Sequence, residues 1–357
     1  MKVTKFGDVV REVKVNVDRD NNPYEFYIAG DHMDSEDLTI HRKGNFATDD
    51  VGPAFTRIFK PGQILYGSRR TYLKKIAVAD FEGICANTTF VLETKNNCVF
   101  LQSLLPFIML SDKFTEWSVS HSKGSTNPYV LFSDLASYEF ELPSLEEQRV
   151  LAEKLWAAYH LKESYKRLLA ATDEMVKSQF IEMFDFEDLT LSNPSNNFSK
   201  KCYDDTSSAT KVAAEYYQKS GRYAIYDQSQ DCNIAGFTDS EEGLCYNYPA
   251  VLFGDHSRVV KYINQPFYIG ADGVKIIRPK EEDLLPEFLY YDLLYHNIPN
   301  TGYNRHFKYV KMLRLTEATI DKQKQFLQIA HQADKSKFEL RKSIDAIDKV
   351  IKSLINS

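Results

Sequence analysis

Stepping along residues 151–179 by alternating four and three positions lands mostly on apolar side chains: Leu151, Leu155, Ala158, Lys162, Tyr165, Leu169, Thr172, Val176 and Gln179. The same walk further on gives Ala330, Ala333, Lys337, Leu340, Ile344, Ile347, Ile351 and Leu354. A 4-3 spacing held over several heptads is the mark of helices that pack lengthwise. Neither segment contains proline or glycine, and each predicts one helix of about 35–40 residues, or roughly 50–60 Å at about 1.5 Å per residue. Each series carries one lysine at the same step, and Gln148-Arg149 and Gln323-Lys324 stand just ahead of the two seams at an offset of 175 residues. Two independent amphipathic core helices are the simpler alternative. The matched register favours two equivalent helices zipped into a rod.

The segments ahead of the helices echo one another more faintly. Ile64-Leu-Tyr-Gly67 recurs as Val251-Leu-Phe-Gly254. Each is followed by basic residues and then by aromatic and β-branched stretches (residues 76–92 and 259–277) whose alternation and Gly/Pro punctuation predict short strands. A short apolar helix is expected at 100–110 and at 288–294, then a polar loop at 123–128 or 301–306. A last strand at 138–142 or 312–315 leads into the long helix. Residues 185–210, with Asn193-Pro-Ser-Asn-Asn197, read as linker. The expected fold class is α+β: mixed globular parts at 1–143 and 185–318, and long antiparallel helices at 144–184 and 319–357 forming a coiled-coil spacer.

Composition changes this picture little. At 357 residues the chain has room for two cores, and 43% hydrophobic content excludes wholesale disorder. No apolar run reaches a membrane-spanning length, and no secretory signal opens the chain, so a cytoplasmic location is expected. Five cysteines (Cys85, Cys98, Cys202, Cys232, Cys245) without a C-x-x-C argue against a disulfide framework or a zinc finger. The eight histidines show no metal-ligand spacing, and no metal is expected.

The net charge of −6 looks unfavourable for nucleic acid, but the charge is uneven. Residues 56–75 hold six basic side chains (Arg57, Lys60, Arg69, Arg70, Lys74, Lys75) and no acidic one. Residues 300–314 hold Arg305, Lys308, Lys311, Arg314 and His306, again with no acid. Both windows interleave aromatics: Tyr66, Tyr72, Tyr303, Phe307 and Tyr309. Either window alone is also what a solvated basic face looks like, but two in repeated positions point to phosphate and base contact.

Enzyme readings fare worse. Asn127-Pro-Tyr129 and Asn22-Pro-Tyr24 are similar to the Asn-Pro-Pro-Tyr element of amino-methyltransferases, but both lack the second proline, and no Gly-x-Gly loop follows a strand. Asp80 with Glu93-Thr-Lys95 fits the loose carboxylate–carboxylate–lysine pattern of metal nucleases, with no counterpart in the second half. No phosphate-cradling Gly-x-x-x-x-Gly-Lys loop exists. His256, beside Asp255, reads as a surface or DNA-facing side chain rather than a base.

The run Gly124-Ser-Thr-Asn-Pro-Tyr-Val-Leu-Phe-Ser-Asp-Leu135, then Phe140-Glu-Leu-Pro-Ser-Leu-Glu-Glu-Gln-Arg149 before a long helix, strongly resembles the DNA-specificity subunit of type I restriction-modification systems. Residues 62–73 and 85–91 also look like its target-recognition domains. The second junction departs, reading Leu315-Thr-Glu-Ala-Thr-Ile-Asp-Lys-Gln323 without the proline and paired glutamates. The resemblance implies a non-catalytic reader of double-stranded DNA, with two target-recognition domains (1–143 and 185–318) alternating with two conserved helices, and no membrane partner. It would recognise a bipartite, asymmetric site with the helical rod setting the gap, and would belong to a phage-defence system. It also implies two modification subunits that carry S-adenosylmethionine, joined by restriction (translocase–nuclease) subunits; this chain itself would hold no cofactor.

Expected DNA contacts in the first domain are Ser68, Arg69, Arg70, Tyr72, Lys74, Lys75 and, from the polar loop, Lys123, Ser125, Thr126 and Asn127. In the second they are Arg258, Lys261, Tyr303, Asn304, Arg305, His306 and Lys308. Leu161, Leu168, Met175 and Phe180, on the outer faces of the first long helix, are candidates for docking the modification subunits or else complete the rod's own packing. A specificity subunit of another restriction class, with a fused methyltransferase–nuclease partner, and a scaffold using the rod alone remain as alternatives.

Overall fold

A computed structural model describes residues 2–18, 21–186, 188, 197–230, 233–270 and 273–356. The chain divides into two compact units, Met1–Lys166 with Arg341–Ser357, and Arg167–Leu340. The long helices run Leu145–Phe184 and Ile320–Asn356, so each gives part of its length to each unit. The architecture is α+β in both.

In the first unit, one four-stranded sheet has the order Val10–Glu12, Thr89–Thr94, Ile64–Gly67, Ile76–Val78, all antiparallel. A second sheet has the order Gly44–Asn45, Phe26–Ile28, Gly83–Ala86, Phe55–Phe59. The period of two along a strand explains why Ile64–Gly67 is apolar throughout. Ile64 and Tyr66 face the helical core with Phe6, Phe107, Phe114 and Leu155, while Leu65 enters the separate core that holds Ile28, Cys85 and Val91. Covered on both faces, the strand has no reason to alternate. The second unit repeats the first sheet in the same order: Cys202–Asp204, Val274–Pro279, Ala250–Gly254, Val260–Ile263. Val251 and Phe253 join the helical core; Ala250 and Leu252 join the other. The back sheets differ: Phe55–Phe59 closes one antiparallel, whereas Lys211–Val212 closes the other parallel to Phe267–Gly270.

The heptad walk marks the buried stripe. Every seam position on both long helices is buried or half-buried, and Leu161, Leu168 and Met175, one step off it, are exposed. Within each unit the two long helices run antiparallel. In the first, Lys162 Nζ meets Asp348 at 2.6 Å; in the second, Lys337 Nζ meets Asp173 at 2.8 Å. The offset of 175 carries one pair onto the other, so the lysine shared by the two walks is the basic half of a repeated interhelical ion pair.

The helix starts match as well. Ser144 and Glu147 form a reciprocal capping box at the first, and Thr319 alone caps the second. One turn later comes a buried glutamine. Gln148 accepts from Leu101 N (2.9 Å) and donates to Val99 O (3.0 Å) and Pro143 O (2.9 Å). Gln323 does the same with Leu285 N, Asp283 O and Ala318 O at 2.9, 2.8 and 2.9 Å.

Four expectations are corrected. Phe180 is no docking residue: it is fully buried, with the rings of Phe184, Phe186, Phe288, Tyr295 and Phe326 at 5.0–5.4 Å. Residues 197–210 are not linker but hold the helix Phe198–Lys201, the edge strand Cys202–Asp204 and a 3-10 turn; Asn193 to Asn196 lie outside the described residues. The strand Glu139–Leu142 forms, paired with Lys2–Lys5, but 312–315 is not a strand. There the Asn197 amide replaces a pairing strand, accepting from Leu315 N and donating to Leu315 O. Finally, the helix Asp112–Ser120, capped by Ser111, continues the apolar segment beyond 110. Cys85, Cys202 and Cys245 are buried free thiols and Cys98 an exposed one; Cys232 lies outside the described residues. No described helix is long and apolar enough to cross a membrane.

Candidate nucleic-acid interface

In the first unit the central strand Ile64–Gly67 runs out into Ser68, which organises the sheet end. Its N–H and Oγ both donate to Thr88 O (3.0 and 2.6 Å), and its carbonyl accepts from Val130 N (2.9 Å). Arg70 N donates to Pro128 O at 2.7 Å. Tyr129 is bridged through its backbone both to Arg69 and to Lys123, which closes loop 123–129 on itself, with Gly124 at a positive φ of 87°. The structure therefore brings together two segments more than fifty residues apart in sequence.

Arg69, Arg70, Lys123, Ser125, Thr126 and Asn127 are exposed there, as is Tyr72 at 55%. Lys123 reaches Asp134 at 3.0 Å. Arg69 and Arg70 make no side-chain hydrogen bond or ion pair among the described residues. Arg70 and Lys74 sit at φ of 50° and 48°, a left-handed conformation that costs a non-glycine residue about 1 kcal/mol or more and concentrates at functional sites.

The second unit builds the same junction with different side chains. Asp255 follows the strand Ala250–Gly254 as Ser68 follows its strand. Its N–H donates to Gly273 O (2.6 Å), its carbonyl accepts from His306 N (2.8 Å), and its carboxylate accepts from Phe307 N (2.7 Å). This fixes loop 301–305 beside the turn 254–259. Asn304, Arg305 and Lys308 are exposed, and Tyr303 is 89% so. Lys308 lies 4.9 Å from the Tyr309 ring centroid. Arg258, at φ 64°, donates to Ile298 O at 3.0 Å and is half-buried.

Five expected contacts are placed elsewhere. Ser68 is buried under its own hydrogen bonds. Lys261 is buried and donates to Asn233 O at 3.1 Å. His306 is fully buried; its Nδ1 donates to Asp255 O and its Nε2 accepts from Thr301 N, so it is a neutral brace inside the loop. Lys74 is drawn to Asp112 (2.9 Å) and Glu36 (3.3 Å), and Lys75 donates to Gly30 O. A basic window cannot distinguish cations that are satisfied internally from those left over.

Sequence reasoning also missed residues. Thr88, in the turn after Gly83–Ala86, accepts both bonds from Ser68 through its carbonyl, and Asn87 beside it is exposed. The stack of His256, expected as a surface or DNA-facing side chain, on Tyr303 was also not foreseen: their ring centroids are 4.8 Å apart and their planes within 9°. The nuclease pattern does not assemble, since Glu93 is held by Arg11 and Gln63 while Lys95 donates to Gly7 O. Asn22 caps its own turn by accepting from Tyr24 N.

Spacing gave no hint of a third cluster. Asp37, His41 and Glu163 offer ligand atoms within 4.8 Å of one another, but the Lys166 ammonium already stands between the carboxylates at 2.9 and 2.8 Å. Burial pushes the Asp37 carboxyl up, yet hydrogen bonds from Tyr159, Thr39 N and Lys166 prevail and hold it at about 2.

Residues 2–169 match the model of the type I restriction modification DNA specificity domain. The type I restriction enzyme EcoDI specificity subunit of Escherichia coli is 25% identical over 188 residues, 52% of this chain and 40% of that relative. The chain thus matches less than half the length of that relative. Among solved structures, the S subunit of a type I restriction-modification system from M. genitalium aligns over 99% of this chain and 94% of its own, at 12% identity and a TM-score of 0.54. A chain from a study of complex assembly and conformational transition in the type I system aligns over 99% and 96%, at 17% identity and a TM-score of 0.54. These two show a shared fold. Over residues 2–169, just under half of its length, the chain is thus similar to the type I restriction modification DNA specificity domain.

Proposed function

We propose that this chain is the sequence-reading subunit of a type I restriction-modification complex and has no catalytic centre of its own. Each unit reads one half of a bipartite, asymmetric site on double-stranded DNA. The observation that carries this reading is the repeated junction. In both units the residue after the strand ending in Gly67 or Gly254 holds a polar loop (123–129 or 301–305) by hydrogen bonds, and exposed arginine stands there with an aromatic ring: Arg69 and Arg70 with Tyr72 beside the first loop, Arg305 with Tyr303 within the second. Lysine and arginine neutralise phosphates, and arginine and asparagine side chains read base edges. Because the tips differ (Arg69-Arg70 with Ser125-Thr126-Asn127, against Tyr303-Asn304-Arg305), the two half-sites differ.

The unread gap is set by the long helices, each of which runs unbroken across the division between the units. Modification subunits carrying S-adenosylmethionine dock on the helices, with Leu161, Leu168 and Met175 as the exposed apolar positions, and restriction subunits complete the complex. The test is methylome sequencing of the host with and without this gene. Loss of one two-part methylated motif is expected on deletion, and an unchanged methylome overturns the proposal.

A further inference from the structure

His256 sits in the tight turn 254–259, where Gly254 N bonds Val259 O and Arg258 N bonds Gly254 O. Its own N–H donates to Gln228 Oε1 at 3.1 Å, and its imidazole lies flat against Tyr303. Nδ1 is 3.2 Å from the carbonyl oxygen of Asn304. A carbonyl oxygen only accepts, so Nδ1 carries the hydrogen, and in the neutral ring Nε2 is left with a lone pair. Nε2 has no partner among the described residues. Neither has the guanidinium of Arg305, two residues beyond Tyr303.

We propose that His256 is a specificity-determining residue of the second unit, accepting through Nε2 a hydrogen bond from an exocyclic amino group in the major groove, adenine N6 or cytosine N4. This rests on the DNA-reading function proposed above. Three features separate His256 from an ordinary surface histidine. The tautomer is fixed by a backbone group, so the ring offers one defined polarity rather than two. The plane is fixed by Tyr303, so the acceptor has a direction. The anchor Gln228 holds the backbone, so the turn does not yield on contact. Adenine N6 and cytosine N4 are the only major-groove donors, and replacing adenine by guanine or cytosine by thymine puts an acceptor, O6 or O4, in the same place. Tyr303 is the positioning residue in this arrangement: it acts through the imidazole.

The experiment uses the full chain purified with its modification subunits. Binding is measured on the methylated target duplex sequence and on a series in which each base pair of both half-sites is replaced in turn. For the unaltered complex, one replacement in the second unit's half-site costs roughly tenfold through this hydrogen bond. With His256→Ala that one penalty disappears, while penalties elsewhere, including the whole other half-site, are kept. Tyr303→Ala, which removes the ring that sets the imidazole plane, reduces the same single penalty. If His256→Ala leaves every penalty in place, or weakens all sequences equally as loss of a phosphate contact does, the proposal is overturned. If His256→Ala does not assemble, His256→Lys, which puts a donor where the acceptor stood, gives the same comparison. A complex that shows no sequence preference before any substitution refutes the DNA-reading function, not this assignment within it.

Discussion

Arg69 and Arg70 differ from their basic neighbours in being unspent. Both are exposed and make no side-chain bond among the described residues, whereas Lys74 is held by Asp112 and Glu36 and Lys75 by Gly30 O. Replacing both arginines with glutamine removes two charges without altering the β-carbon at Arg70, so the left-handed backbone there is equally strained before and after. Each phosphate neutralised on B-DNA contributes about 0.9 to the slope of log K against log salt, so the double variant is expected to flatten that slope by about 1.8. At about 0.15 M salt the same two contacts amount to roughly 30-fold in affinity. Lys74→Gln is the matched control. It leaves the slope unchanged and instead costs about 1 kcal/mol of stability, because it breaks a partly shielded ion pair. The assay is equilibrium binding of the complex to its target duplex between 50 and 300 mM salt, where the Debye length falls from about 14 Å to about 6 Å, alongside urea unfolding. If the arginine pair leaves the slope unchanged, the DNA face is elsewhere. If Lys74→Gln flattens it as much, the distinction between engaged and available cations is wrong.

Two further outcomes are expected. Gln148→Leu and Gln323→Leu each strand one backbone N–H and two carbonyls in the interior, at roughly 2–4 kcal/mol. Hydrogen exchange at the Leu101 or Leu285 amide should accelerate only in the unit carrying the change, and acceleration in both would show that the clamps are not local. The Asp37 carboxyl, held at about 2 against an ordinary 3.8, adds stability that is complete above about pH 4 and is lost as pH falls from there through 2. Allowing for screening, this is about 1–2 kcal/mol. The stability gap between the native chain and Asp37→Asn, followed by urea unfolding from pH 5 to pH 2, should therefore close on acidification; a gap that widens refutes the assignment.

The long helices were readable because a 4-3 walk integrates over many turns, and one misplaced residue does not blur it. The walk even contained Lys162 and Lys337, but not their partners, since Asp348 and Asp173 lie off the seam of the opposite helix and become neighbours only on pairing. The sheet order was beyond reach. Strands covered on both faces, such as Ala250–Gly254, lose the alternation that would reveal which neighbour each side meets. At the candidate interface the windows were found and their members were not sorted: lysine reads the same whether solvated or, as Lys261, buried. Phe180 reads either way in the sequence because it stands beside the seam, and the aromatic cluster of the second unit is what pulls it inward. His256 was legible only as a surface or DNA-facing side chain, because its fixed plane and tautomer depend on a ring and a carbonyl from a segment nearly fifty residues away.

The buried glutamines have a consequence for how far the two copies can drift apart. All three bonds of each clamp end on main-chain atoms, and every residue owns a main chain. The fastener is therefore blind to which side chains surround it, so long as the path of the backbone is kept. The first junction has a proline and two glutamates ahead of its glutamine; the second has lost all three, and yet its helix begins at the same step and is held in the same way. What ties each rod to its own globular part thus leaves that part free to change its letters, and a reader of DNA sequence has need of that freedom.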